Sequence, residues 1–228
     1  MKQKRLKIIA VGILLAAIVL VIFSIISRFS YKGTSIKRPR NAYKKKIEQF
    51  KSATDKDGDG VDDQSDILNS ALEYIQTKPK YESRYYIGGS PDDGYGVCTD
   101  VVAMGLKGAG YDLQKLVAED IKEHKDDYDI KVADSNIDYR RVRNLQVYFK
   151  NNTKSLSTDI SKIEEWQGGD IVIFKKHIGI VSDRRDKNGV PYIIHHGSKL
   201  QRAYEQNYLK DNADEIVGHY RWEIKNKK

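Results

Sequence analysis

The chain has 228 residues, of which 40 are Lys or Arg, 32 are Asp or Glu and one is Cys, with a formal net charge of +8. This length allows one ordinary domain with a small appendage, and a single cysteine excludes an internal disulfide. Residues 1–51 hold 13 Lys/Arg and one Glu, whereas residues 81–228 hold 24 basic and 24 acidic residues, so the main domain lacks the positive surface expected of a nucleic-acid-binding protein.

The first predicted element is an apolar helix at residues 8–26, which follows a basic N-terminus at residues 1–7. At about 1.5 Å per residue, this run spans roughly 30 Å of hydrocarbon. A cleaved signal peptide is the alternative, but the run is longer than the usual apolar core of about 7–15 residues and no A-x-A site follows it. We therefore expect an uncleaved single-pass anchor in the cell membrane.

A basic linker at residues 27–40 follows the predicted anchor, and its charge suits anionic lipid or wall polymer. Both flanks of the apolar run carry similar positive charge, so the positive-inside rule does not fix the orientation. Long C-terminal domains can translocate regardless of flanking charge. We expect a monomer with its main domain outside the cytoplasm.

Residues 41–76 are predicted to form a helix–loop–helix unit that resembles an EF-hand. Tyr43, Ile47 and Phe50 recur at helical spacing, and a second apolar helical face begins at Ile67. Between them lies the acidic run "DKDGDGVDDQSD" at residues 55–66.

The acidic run has the ligand spacing of a calcium-binding loop, with Gly60 at the sharp turn. Its twelfth residue is Asp66 instead of the usual bidentate Glu. A solvated acidic turn is the alternative interpretation. The spacing predicts one structural Ca²⁺, with these candidate ligands: Asp55, Asp57, Asp59, the backbone carbonyl of Val61, Asp63 and Asp66.

The only cysteine, Cys98, is predicted to begin a helix directly after the loop "GYG" at residues 94–96. Apolar residues at 101, 102, 106 and 109 form one helical face, and Gly108 and Gly110 end it. Free N–H groups at a helix start favour a thiolate and can hold an oxyanion. A small buried core residue is the alternative role for a lone cysteine.

The C-terminal half is predicted to form antiparallel strands, which together with the earlier helices gives an α+β fold. "DIVIF" and "HIGIVSD" flank a tight connection at Lys175 and Lys176, and an Asn-Gly turn at residues 188–189 precedes "YIIHHG". In this hairpin, His177 lies opposite or diagonal to His195. His196 is expected on the other face of the strand.

A cysteine at a helix start, a histidine on one strand and a polar residue on the next are the parts of a thiol-hydrolase triad. Cys98 is the candidate nucleophile and His177 the candidate base. His195 is the candidate third member, with His196 and Asp183 as alternatives.

The motifs "DDGYGVCTDVV", "GYDLQKLV", "GDIVIF", "HIGIVSD", "IIHHG" and "GHYR" resemble, in this order, the bacterial domain-of-unknown-function family 1287. That family is placed among NlpC-type amidases in the papain-like cysteine peptidase superfamily. The resemblance implies that residues 77–228 form an NlpC-type domain, with the cysteine helix packed on an antiparallel sheet. It also implies that the substrate is an amide bond in the peptide stems of peptidoglycan, or another amide.

Two other functions remain open from the sequence. One is a metallohydrolase whose zinc is held by His177, His195, His196 and His219, with Asp183, although this spacing matches no zinc motif. The other is a non-catalytic module of the same fold that binds the cell wall or a partner.

Overall fold

The computed structural model describes residues 12, 13, 15–22 and 33–225. The chain divides into two compact units, residues 1–33 and residues 34–228. In the first unit, residues 12, 13 and 15–22 are helical. Within the described residues, no helix has both the length and the hydropathy that a membrane span requires. The predicted anchor at residues 8–26 extends outside the described residues and stays a prediction.

The second unit is a mixed α+β fold with an antiparallel sheet, as the sequence predicted. Its helices are α1 (Asp63–Gln76), α2 (Cys98–Gly108), α3 (Leu113–Glu123), α4 (Val142–Asn152) and the short α5 (Tyr208–Asp211). Its strands are β1 (Lys80–Tyr81), β2 (Tyr95–Gly96), β3 (Thr153–Ser155), β4 (Ile171–Phe174), β5 (His177–Arg185), β6 (Pro191–Ile194), β7 (Glu205–Gln206) and β8 (Ile216–Ile224).

The two helices α1 and α2 pack closely because small residues line their contact. A Cβ placed on Gly105 of α2 would lie 3.0 Å from the carbonyl oxygen of Ile67 in α1. The apolar face predicted for α2 is fully buried in this contact and against the sheet, through Val101, Val102 and Leu106. The Asp62 side chain caps the start of α1 by accepting a hydrogen bond from the N–H of Ser65.

Six strands form one sheet in the order β3-β8-β4-β5-β6-β7, with every neighbouring pair antiparallel. The tight connection at Lys175 and Lys176 pairs Phe174 with His177, and Ile180 pairs with Ile194. One face of the sheet packs on the helices, and the other covers a second apolar cluster around Trp166. This register brings the start of β5 next to the residues that follow β6.

The helix predicted from Tyr43, Ile47 and Phe50 is wrong, because residues 41–50 form no helix. Their backbone instead bonds to the main domain: the N–H of Ala42 donates to the carbonyl of Arg185 at 2.8 Å, and the N–H of Phe50 donates to Oε1 of Gln167 at 3.1 Å. The acidic loop is therefore followed by a helix but not preceded by one. The EF-hand-like layout is present only in its second half.

The predicted basic linker also ends earlier than residue 40, since residues 35–38 contact the sheet side of the domain. Ser35 exchanges backbone hydrogen bonds with Arg202 and Tyr204 at 2.9 and 3.0 Å. Arg38 binds the carboxylates of Asp183 and Glu205. Residues 34–50 thus form an extended strap along the domain.

Candidate active site

Cys98 is the first residue of α2 and follows Val97, whose backbone is extended. Its side chain is half-buried. The backbone N–H groups of Ile178, Thr99 and Cys98 itself lie near enough to the sulfur to favour its thiolate form. The Cys98 sulfur therefore lies at the start of β5, beside the residue that follows His177.

Cys98 carries a thiol that is protonated at neutral pH. Burial raises the pKa of Cys98 to about 11, the N–H of Ile178 opposes this rise, and the negative charge of Asp100 adds to it. The helix start does not by itself produce a thiolate here. A base must take the proton if the sulfur is to act as a nucleophile.

His177, His195 and Gln206 form a chain of hydrogen bonds beside Cys98. Nε2 of His177 lies 2.8 Å from Nδ1 of His195, and Nε2 of His195 lies 3.1 Å from Oε1 of Gln206. Because the amide oxygen of Gln206 only accepts, Nε2 of His195 donates and Nδ1 of His195 accepts from His177. In this arrangement Nδ1 of His177 carries no proton and is free to accept one.

His177 and His195 are both buried and neutral. Burial lowers the pKa of His177 to about 4, with a further contribution from the charge of His196. Burial and the neighbouring His177 lower the pKa of His195 well below its usual value. At neutral pH, His177 is therefore in the form that a general base needs.

His196 and Asp183, the two alternatives for the third member of the triad, do not hydrogen-bond to His177. His196 packs edge-on against the rings of Tyr81 and Tyr204, each at 5.2 Å, and its Nδ1 has no hydrogen-bond partner among the described residues. Asp183 binds Arg38 of the strap. His195 and His196 thus face opposite sides of the strand, as the alternation of side chains predicted.

Gln206 is a member of this site that the sequence reasoning missed. It lies on β7, a strand of two residues that carries no local strand signal. Its position is set by its pairing with Ile193 of β6, which puts both residues on the face that also carries His195. A pocket of about 310 Å³ opens beside the chain of hydrogen bonds and is lined by Lys176, His177, His195, Gly197, Ser198, Gln201, Gln206 and Tyr208.

Asp100 holds the loop that carries Cys98. Its carboxylate accepts a hydrogen bond from the N–H of Val97 at 2.8 Å and forms a bidentate ion pair with Arg140 at 2.7 and 2.8 Å. Both side chains are 1% exposed. Asp100 is therefore a positioning residue and does not belong to the chain of hydrogen bonds around His177.

The "GHYR" motif lies away from Cys98 and has a structural role. His219 and Arg221 alternate on β8, and both bind the fully buried carboxylate of Asp170, at 2.9 Å from Nε2 and 2.8 Å from Nε. Trp166 stacks on the His219 ring at 3.7 Å. Since His219 is held here, the four histidines do not form the zinc cluster considered from the sequence.

The acidic loop brings three of its predicted ligands together. Asp55, Asp57 and Asp59 each offer a carboxylate oxygen within 4.8 Å of the others, the only such metal-ligating group among the described residues. Asp63 differs from its predicted role, because its carboxylate accepts hydrogen bonds from Thr54, Lys56 and Tyr111. Asp63 anchors the loop to the domain and does not lie with the other three.

The known proteins that resemble this one match the part of the sequence that contains Cys98, His177 and His195. The family described as "Domain of unknown function (DUF1287)" matches residues 68–222. The protein named "Uncharacterized protein YijF" of Escherichia coli (strain K12) is 38% identical over 157 residues, which covers 64% of this chain and 74% of that protein. The acidic loop at residues 55–66 precedes the span that the family matches.

Proposed function

This chain belongs to the DUF1287 family, and we propose that it is a cysteine hydrolase that cleaves an amide bond through a thioester. The observation that supports the proposal is the row of hydrogen bonds from His177 through His195 to Gln206 at the start of β5, the strand whose second residue, Ile178, acts on the Cys98 thiol through its N–H. A thiol and a neutral imidazole with one unprotonated nitrogen are the pair that nucleophilic catalysis requires.

The first half of the reaction forms the acyl-enzyme. Nδ1 of His177 takes the proton of the Cys98 thiol while the sulfur attacks the amide carbon. The N–H groups at the start of α2 stabilise the negative oxygen of the tetrahedral intermediate. The C–N bond then breaks, and the imidazolium of His177 gives its proton to the departing amine.

The second half consumes one water and restores the enzyme. His177 accepts a proton from the water as its oxygen attacks the thioester carbon. Collapse of the second tetrahedral intermediate breaks the C–S bond and releases a carboxylic acid. The proton on His177 returns to the Cys98 sulfur, so the net reaction is amide plus water to acid plus amine.

Peptidoglycan stem peptides are the proposed substrate, and this part rests on the resemblance to NlpC-type amidases and their papain-like fold. The predicted anchor at residues 8–26 and the basic strap suit an enzyme held outside the membrane, near the wall. The pocket beside His195 has both polar and apolar surface, which suits the backbone and the side chains of a peptide. A non-catalytic module of the same fold remains the competing function.

The substrate is tested by incubating the full chain, in mild detergent, with purified bacterial peptidoglycan. Mass spectrometry should find new amines and released peptide fragments whose masses identify the cleaved bond. The Cys98→Ala variant, prepared in parallel, should release none. If the folded wild-type chain releases nothing from peptidoglycan or from a general peptide library, the hydrolase proposal fails and the binding module is favoured.

The pH dependence of the reaction should reflect the neutral state of His177. Because burial lowers its pKa to about 4, kcat/KM should stay near its neutral-pH value through pH 6.5 and fall only as the pH approaches about 4. Protonated His177 cannot accept the thiol proton, so activity is lost on the acid side. The measurement is kcat/KM for the released amine across the pH range.

A His195→Ala variant provides the matched comparison for this profile. His195 acts through His177, so we expect a loss of about 10–100-fold, less than the full effect of general acid–base catalysis. Removing His195 also removes a buried neighbour and opens His177 to water, which should move the acid limb toward pH 6.5. A wild-type acid limb at pH 6.5 or above would contradict the assignment of His177.

A further inference from the structure

The acidic loop contains one carboxylate, that of Asp66, for which the described residues supply no partner. Asp66 lies in the first turn of α1 and is only 7% exposed. Its Oδ2 is buried and has no hydrogen-bond partner among the described residues. A buried, unpaired carboxylate is unfavourable unless a cation or a proton neutralises it.

The neighbours of Asp66 favour a cation. Asp55, Asp57 and Asp59 each offer a carboxylate oxygen within 4.8 Å of the others, and their negative charges act on Asp66. The N–H groups of Gly58 and Gly60 bind Asp55 at 2.8 and 2.9 Å and close the loop around these carboxylates. Three carboxylates thus converge in the loop, and the buried carboxylate of Asp66, which their charges reach, has no positive partner among the described residues.

We propose that this loop binds one Ca²⁺ through the carboxylates of Asp55, Asp57, Asp59 and Asp66 and the backbone carbonyl of Val61. Ca²⁺ takes six to eight oxygen ligands, and two bidentate carboxylates or added waters complete that number. Asp63 is not a ligand, because its oxygens bind Thr54, Lys56 and Tyr111. The site is separate from Cys98 and does not depend on the proposed hydrolysis.

The ion would connect the loop to the helix that carries Cys98. A Cβ placed on Gly110, just past the end of α2, would lie 3.2 Å from Cβ of Asp57. Tyr111 reaches Asp63 with a hydrogen bond of 2.6 Å. A cation in the loop therefore fixes α1 and the C-terminal end of α2 in one arrangement, which predicts a structural role and a more stable folded domain.

Calorimetric titration of Ca²⁺ into the EDTA-treated full chain tests the site. We expect saturable binding of one ion per chain with a Kd at or below about 1 mM, the range of extracellular calcium modules. At a free Ca²⁺ concentration of about one hundred times the Kd, the Tm should rise by about 5–10 °C. Mg²⁺ at the same concentration should give a much smaller rise, because it demands a compact octahedral site.

The Asp66→Asn variant shows whether Asp66 is a calcium ligand or only stabilises the fold. It should weaken Ca²⁺ binding at least about 10-fold, yet in EDTA its Tm should be higher than that of the wild type, because the buried negative charge is gone. Asp129→Asn removes an equally charged but 91% exposed side chain and should change neither result. No saturable binding up to about 5 mM Ca²⁺, or wild-type affinity in Asp66→Asn, would overturn the proposal.

Discussion

Replacing Cys98 by alanine is expected to lower the rate of amide hydrolysis by at least about 10⁴-fold while the domain stays folded. The substitution removes the only sulfur that can form the thioester, and water in its place lacks both the position and the nucleophilicity. Alanine suits a helix start sterically and removes only the sulfur atom. The measurement is kcat/KM for amine release, with circular dichroism and Tm recorded on the same preparation.

Three further measurements make this expectation specific. His124→Ala removes an exposed histidine at the end of α3 and should keep wild-type activity, whereas His177→Ala should lose about 10²–10⁴-fold. Thiol alkylation of the wild type should be slow at neutral pH and accelerate toward pH 11, because burial raises the pKa of Cys98. A Cys98→Ala variant that retains the wild-type rate would exclude a thioester mechanism.

Local sequence patterns predicted the parts of the site that lie on helices and strands with a clear apolar pattern. The apolar spacing after Cys98 placed α2 correctly, and the paired runs around Lys175 and Lys176 placed β4 and β5. Strand alternation was enough to separate His195 from His196. The position of His195 beside His177 followed from one hairpin register, which the Asn-Gly turn at residues 188–189 helps to set.

Nonlocal bonding explains what the sequence patterns could not predict. Residues 41–50 have helical spacing, but their backbone groups find partners on Arg185 and Gln167, so the chain is extended there. Gln206 belongs to a strand of two residues, which is too short to show a periodic pattern. Asp63 binds Tyr111, 48 residues away in sequence, instead of lying with the other loop carboxylates. Each of these depends on a contact between distant segments, which a local pattern does not contain.

The second large effect is expected at Asp170, because it lies at the centre of a buried polar cluster. Its Oδ1 accepts from Gln64 and Arg221, and its Oδ2 accepts from His219, Arg221 and the N–H of Gln167. Asp170→Ala should lower the free energy of unfolding by about 3–5 kcal/mol, since it leaves the buried guanidinium of Arg221 without its counter-charge. Denaturant unfolding, followed by the fluorescence of Trp166 stacked on His219, measures this loss.

A second variant shows whether this loss of stability comes from the unpaired charge of Arg221 or from the cavity that the shorter side chain leaves. If the unpaired charge dominates, the double variant Asp170→Ala with Arg221→Met should be more stable than Asp170→Ala alone, because the second change removes the buried charge. Glu223→Ala, which breaks the exposed Lys154–Glu223 pair on the same edge of the sheet, should cost less than about 1 kcal/mol. If the double variant loses as much stability as Asp170→Ala and a single Arg221→Met variant together, Asp170 and Arg221 contribute independently, and the unpaired charge is not the cause of the loss.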